Sequence, residues 1–276
     1  MASDSAPTVG SLGFAQTALW RAYQDFLMPN RLSEYRTVLE LARDRGYQMV
    51  SVEQWAQMVR AGKINRKLIV LRHDVDTDPT QTLLSAEIEK AVGANASYFF
   101  RLPTMNASVV RKMAASGFHV SYHFEELATF AKAHRLRSVS QVQARMPEIR
   151  DLFASNLTQL RRTFGLDMRI VCSHGDWMNR RLGIMNHAVV ADQEFRRALD
   201  IEYETYDTEL VKPLAAYVSD YPGPWWWRPQ SPSAHLEQEV GPLGILTHPR
   251  QWRRRLYNAV DIAERLYEGI TYKLRG

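Results

Sequence analysis

Apolar residues along this chain recur with two periods, and the two keep exchanging places. Between Leu32 and Arg43 they fall at helical spacing through Tyr35, Val38, Leu39, Leu41 and Ala42, and Gly46 then marks a helix stop. Tyr47 to Ser51 reads as a short strand, Val52 to Ala61 as a helix, and Leu68 to Arg72 as a buried strand that runs into a polar cluster. Thr80 to Val92 is predicted helical with a stop at Gly93, Ala96 to Phe100 is an aromatic strand, Ala107 to Ser116 a helix and Phe118 to Tyr122 a strand. Later strands are predicted at Met168 to Cys172, Ala216 to Val218 and Leu243 to Thr247, with helices over Val142 to Phe164 and Trp252 to Leu266. Such alternation implies an α/β fold, a parallel sheet wrapped by helices as either a barrel or a doubly wound sheet.

Composition narrows the class. With 276 residues, 45% hydrophobic and 24% charged, the chain can bury a sizeable core, which excludes a disordered or fibrous protein. No run approaches the roughly 18 apolar residues of a membrane span, and the opening MASDSAPTVG lacks the pattern of a secretory signal, so the expected location is cytoplasmic. The single cysteine, Cys172, excludes an internal disulfide and a multi-thiolate zinc centre, so any metal must take His and carboxylate ligands. A net charge of +5 is modest for this length, and no nucleic-acid motif accompanies it.

In parallel α/β folds the functional site lies at the carboxyl ends of the strands. Here the predicted ends are followed by Arg72-His73-Asp74-Val75-Asp76, by His123-Phe124-Glu125-Glu126, by Ser173-His174-Gly175-Asp176 and by His248-Pro249, which gathers His and acidic residues on one face. If the strand continues through them, its period of two points Asp74 and Asp76 to the same side. Two neighbouring carboxylates repel unless a cation or shared proton intervenes; the plainer reading is a pair of loop acids or a helix cap before Pro79. His119 and His123 share a strand face but lie roughly 13 Å apart at about 3.3 Å per residue, too far for one ion. His123, at the strand end, is the ligand candidate, and His119 a packing histidine. Carboxylate with imidazole and no thiolate suits zinc, or cobalt, manganese or nickel.

The order LRHDVD, GFHVSYHFE, SHG, a Ser-Asp followed by tryptophans, and LTHP resembles the polysaccharide deacetylases of the NodB-homology class, carbohydrate esterase family four, in a divergent HDVD branch. The resemblance covers about Leu68 to Trp252 and implies an irregular (β/α)7, TIM-like barrel over residues 33–276 behind an N-terminal helical extension at 1–32. It implies Asp74 as catalytic base, Asp76 and His123 as metal ligands and His248 as general acid. The second metal histidine of the family falls on Leu127 here, so one ligand is missing; His174 is the candidate replacement, with Glu125 or Glu126 as the other donors. Failing all three, the chain is a non-catalytic, carbohydrate-binding relative.

Other features divide between function and packing. Trp225, Trp226 and Trp227 follow Asp220 in a Pro-rich loop; with Arg72, Asp220, Trp225 and Trp227 are the candidate substrate contacts, although the loop equally reads as a plug on the barrel. Arg250, Arg253, Arg254 and Arg255 read as a solvated helix face, or as attraction to the phosphate of a nucleotide-linked or lipid-linked sugar at a membrane surface. Cys172 stands two before His174, which admits a cysteine hydrolase, although a buried thiol is the commoner case. Asn179 and Asn186 line the cleft or cap a helix. The resulting expectation is a metal-dependent hydrolase that removes an N-acyl group, acetyl above all, from a sugar in surface polysaccharide biosynthesis.

Overall fold

The computed structural model describes residues 31–220 and 227–252, together with Leu19, Tyr23 and Leu27. The rest of the N-terminal extension, Trp225, Trp226 and all of the final predicted helix beyond Trp252 lie outside the described residues.

In chain order the elements are α1 (Leu32–Asp44), β1 (Gln48–Ser51), α2 (Val52–Arg60), β2 (Leu68–Val75), α3 (Thr82–Ala91), β3 (Ser97–Phe100), α4 (Ala107–Ala115) and β4 (His119–Phe124). They continue through α5 (Glu126–Ala133), α6 (Val139–Ala144), α7 (Met146–Phe164), β5 (Ile170–Ser173), α8 (Trp177–Leu182), α9 (Gln193–Ala198) and β6 (Tyr203–Glu204). The last are α10 (Thr208–Val211), β7 (Ala216–Asp220), β8 (Trp227–Arg228), α11 (Pro232–Glu237) and β9 (Leu243–Thr247). The strands are ordered β6-β5-β4-β3-β2-β9-β7-β8, all parallel except that β8 runs against β7. β1 pairs with Leu68 to Leu71, on the edge of β2 that β3 takes from Arg72 to Val75. Among the described residues no ladder joins β6 to β7, so the sheet curls as an irregular, open (β/α) barrel.

β2 shows why the sheet closes around a core. Leu68 and Val70 point inward with Phe99, Ile170 and Cys172, and Trp55 enters the same cluster while its indole N–H donates to the Leu210 carbonyl at 2.9 Å. Ile69, Leu71 and Val75, on the opposite face, pack under α1 and α3 with Tyr35, Leu39 and Ile88. A strand buried on both faces reads as a continuous apolar run, as Leu68 to Leu71 does.

Two expectations change. β2 does not stop at Arg72 but runs to Val75, because Arg72 and Asp74 neutralise each other inside the barrel. The helix expected from Val142 to Phe164 is two helices: Pro147 lies in the first turn of α7, where its missing N–H costs nothing but an unbroken helix through it would lose a hydrogen bond.

Candidate metal and acid–base site

The upper half of β2 carries Arg72 and Asp74, and Asp76 directly after its end, to the barrel mouth on one side. Arg72 grips Asp74 with two parallel bonds, Nε to Oδ1 and Nη2 to Oδ2, each 2.8 Å, and Nη2 also reaches the Tyr206 hydroxyl at 3.0 Å. Burial raises the pKa of Asp74, but the attraction of Arg72 and His123 outweighs it and holds the group at about 2. Asp74 is therefore an ionised carboxylate, buried and fixed in direction.

Asp76 is treated differently. Its Oδ1 is buried and has no hydrogen-bond partner, although Nε2 of His123 lies 3.4 Å away and Nε2 of His174 3.5 Å away. Both histidines are anchored through their other nitrogen. Nδ1 of His123 faces the Cys172 carbonyl at 3.1 Å, and Nδ1 of His174 faces Oε2 of Glu125 at 3.1 Å. An N–H pointed at those acceptors leaves the Nε2 lone pairs aimed at Asp76, the tautomer a metal ligand needs. The rings meet edge to face with centroids 5.1 Å apart.

The donor at His174 rests on a chain of buried contacts. Arg101 binds both oxygens of Glu125 through Nη2 at 2.6 Å, and Glu125 in turn accepts from His174. Burial raises the pKa of Glu125, yet the His174 hydrogen bond and Arg101 hold it at about 2. Asn186 fixes the loop from behind: its amide donates to the His174 carbonyl at 2.6 Å and to Asn179 at 2.9 Å, while its own oxygen accepts from the Ala128 N–H. Asn179 and Asn186 thus serve the loop and its cap, not the cleft.

These residues fit a divalent cation. Two imidazoles and a carboxylate converge with an unsatisfied buried oxygen at their centre, and an orphaned buried acceptor is costly unless something positive reaches it. Burial lowers the pKa of His123, but its acidic surroundings, the Asp74 carboxylate and the Asp76 contact among them, push it well above the usual histidine range. The other proposed donor, Glu126, faces away, accepting from Asn156 at 2.9 Å and from the Tyr122 hydroxyl. Leu127 is fully buried in the helix layer with Phe124 and Phe153.

On the opposite side stands His248. Its Nδ1 contacts Oδ1 of Asp220 at 2.6 Å, its backbone N–H donates to Oδ2 at 2.7 Å, and its Nε2 lies 3.9 Å from Asp76 Oδ2. Burial disfavours the cation, but Asp220 more than compensates and raises the pKa to about 9. Oδ2 of Asp220 also accepts from the Trp252 indole at 2.9 Å. Both oxygens of Asp220 are thus taken up by protein groups. Arg72 is likewise buried against Asp74, and Trp227 is buried beside Trp252 with its N–H directed at Glu34, so these three support the site from inside. Trp225 lies outside the described residues.

Two groups escaped the sequence reading. Tyr206, 47% exposed, lays its ring over the Arg72 guanidinium, 4.5 Å from the ring centre, and walls the mouth. Trp252, read only as a helix start, holds Asp220. No periodicity marks either one, since each follows a short element and acts across the barrel.

No protein-family model matches the chain, and no curated protein matches it. Among solved structures it is similar to a mutant of BA3943, a CE4 family pseudoenzyme, with restored enzymatic activity: 15% identity, TM-score 0.44, over 75% of this chain and 62% of that one. It is also similar to a Streptococcus mutans CE4 esterase, with 18% identity, TM-score 0.42 and 84% of this chain and 90% of that one covered. A third is the Xyl-CE4 domain of a multidomain xylanase from the hindgut metagenome of Trinervitermes trinervoides, with 14% identity, TM-score 0.34 and coverage of 76% and 85%. The chain spans less than two thirds of the length of the BA3943 structure.

Proposed function

We propose that this chain is a metal-dependent hydrolase of the carbohydrate-deacetylase type, removing an N-acyl group from a sugar. The observation that carries this reading is the unpartnered Oδ1 of Asp76 between the Nε2 atoms of His123 and His174, flanked by an ionised Asp74 and a protonated His248. Asp76, His123 and His174 are the residues that would hold the ion. When bound, a divalent ion of the zinc type lowers the pKa of water and polarises an acyl carbonyl.

The remaining work falls to the protein. Asp74, kept ionised and oriented by Arg72, takes a proton from the attacking water. His248, charged by Asp220, carries a proton across the site and delivers it to the departing amine, so a free amino sugar leaves. Amide hydrolysis needs that proton, because an amide anion is a poor leaving group. The acid and the base are separate side chains with opposite charge states, the division of roles that such a reaction requires.

A biosynthetic, cytoplasmic setting is the proposed context, with a nucleotide-linked or lipid-linked sugar as substrate. No helix among the described residues is long and apolar enough to cross a membrane. The test is release of primary amine from N-acetylated nucleotide sugars and oligosaccharides by the purified protein loaded with zinc or cobalt. Amine release that a chelator stops and added metal restores supports the reading. A protein that binds metal and sugar but releases no amine is a binding relative instead.

A further inference from the structure

Behind the site, on the outer face of the sheet, lies a second polar cluster with no part in the chemistry above. Glu89 of α3 is fully buried, and its oxygens are met by three groups: the Tyr35 hydroxyl donates at 2.5 Å, the Tyr98 hydroxyl donates at 2.7 Å, and His73 Nε2 stands at 2.6 Å. The His73 ring stacks on Tyr98, with centroids 4.2 Å apart, and its Nδ1 contacts the Thr247 hydroxyl at 2.5 Å. His73, Tyr98 and Thr247 come from β2, β3 and β9, while Tyr35 comes from α1, and all four are buried. A buried carboxylate among apolar helices is a weak source of stability, and apolar residues of equal volume often serve as well. Polar clusters of this kind, when fully satisfied, fix geometry.

What this one fixes is visible in the register. His73 is paired with Thr247 across the β2–β9 ladder. Their inward-facing neighbours are Asp74 and His248, the base and the acid, because successive side chains of a strand point to opposite faces. A second route leads to the same histidine. The Tyr35 ring packs on Trp252 with centroids 5.3 Å apart, the Trp252 indole donates to Asp220, and Asp220 binds the His248 ring. The backbone of His248 and its carboxylate partner are thus both tied to Glu89.

We propose that Glu89, through His73 with Thr247 and through Tyr35 with Trp252, is the positioning residue for His248, holding the acid across the site from Asp74. This rests on the functional reading above, but it makes a claim that can be measured without turnover. Glu89→Gln, Thr247→Val and Thr247→Ser are made in the full chain labelled with 15N-histidine, and the two-bond proton–nitrogen correlations of His248, assigned by their loss in His248→Gln, report its hydrogen bonding. The expected result is one set of His248 signals with a bonded Nδ1 in the wild type. Glu89→Gln and Thr247→Val give shifted or multiple sets, and Thr247→Ser restores the wild-type pattern. In the zinc-loaded protein kcat falls roughly ten- to a hundredfold in the first two variants at unchanged KM and zinc affinity, as for a misplaced catalytic group. A purely structural cluster would lower Tm and leave the His248 signals and kcat per folded molecule as they were; that outcome overturns the proposal. Altered His248 signals in a protein with no hydrolase activity at all would leave the positioning role standing and remove the functional reading.

Discussion

Asp74, near the end of β2, and Asp76, just beyond it, stand two residues apart, and their carboxylates have opposite fates: Arg72 binds both oxygens of Asp74, whereas Oδ1 of Asp76 is buried with no hydrogen bond. The two acids are therefore not interchangeable. Asp76→Asn removes the charge at the centre of the proposed cation site and abolishes metal binding while leaving the fold intact. Asp74→Asn keeps metal binding and lowers kcat by about a hundred- to ten-thousandfold, the range for loss of a general base. It also costs stability, on the order of 3–5 kcal/mol, because Arg72 is left buried without its counter-charge. Metal titration, turnover and chemical denaturation of the two variants separate these effects.

Glu125 touches the site only through His174, and its effect belongs on metal affinity. Glu125→Gln weakens the acceptor that holds the His174 Nδ1 proton and unbalances Arg101. Loss of such a partner typically lowers metal affinity about 10–100-fold. Calorimetric zinc titration is expected to show that loss, whereas unchanged affinity would mean that His174 is not a ligand.

The pH dependence of turnover follows from His248. Its pKa is raised, to about 9, so the protonated acid is present at neutral pH and is lost as pH rises through about 9. The kcat profile should fall on the alkaline side, above the ordinary histidine value, with a cation on Asp76, 3.9 Å from His248, bringing that fall below the value of the metal-free protein. Asp220→Asn removes the charge responsible, so the fall moves toward the ordinary histidine value of about 6.5. The same linkage makes the pair stabilising below that ordinary value, with the contribution disappearing as pH climbs through about 9. A profile that Asp220→Asn leaves in place would assign the alkaline limb to another group.

Cys172 tests the metal-free alternative. It is buried in the barrel interior, and burial, despite the opposing Arg72 charge, raises its pKa. A protonated and inaccessible thiol is a poor nucleophile. Iodoacetamide under native conditions should leave turnover unchanged; rapid inactivation in step with thiol loss would favour a cysteine hydrolase.

The parallel α/β sheet was legible because its strands are apolar runs separated by helical periods, while its barrel form was implied only by the resemblance of the ordered motifs. The candidate site was legible because strand ends carry most of its polar groups: Asp74, His123, His174 and His248 do converge. His119 also falls as expected, away from those groups at the start of β4, with Nδ1 2.7 Å from the Ser97 hydroxyl. What the sequence hid depends on pairing across the barrel. The charge of Arg72 argued for the end of a strand, and only its partner Asp74 explains why the strand continues. Trp227 read equally as a substrate contact and as a plug on the barrel, and its fellow in packing, Trp252, lies 25 positions on and bonds Asp220. His73 sat on the outward face between Arg72, a candidate substrate contact, and Asp74, the candidate base, where periodicity alone could not reveal that Glu89 waits opposite.

The most direct test of the central claim is metal content by elemental analysis after zinc incubation and desalting, for the wild type, Asp76→Asn, His123→Gln and His174→Gln. Stoichiometric zinc in the wild type, with severe loss in each variant, is the predicted result. A wild type that retains no zinc, or a His174→Gln variant that retains it fully, would contradict the ligand set and with it the proposed hydrolase.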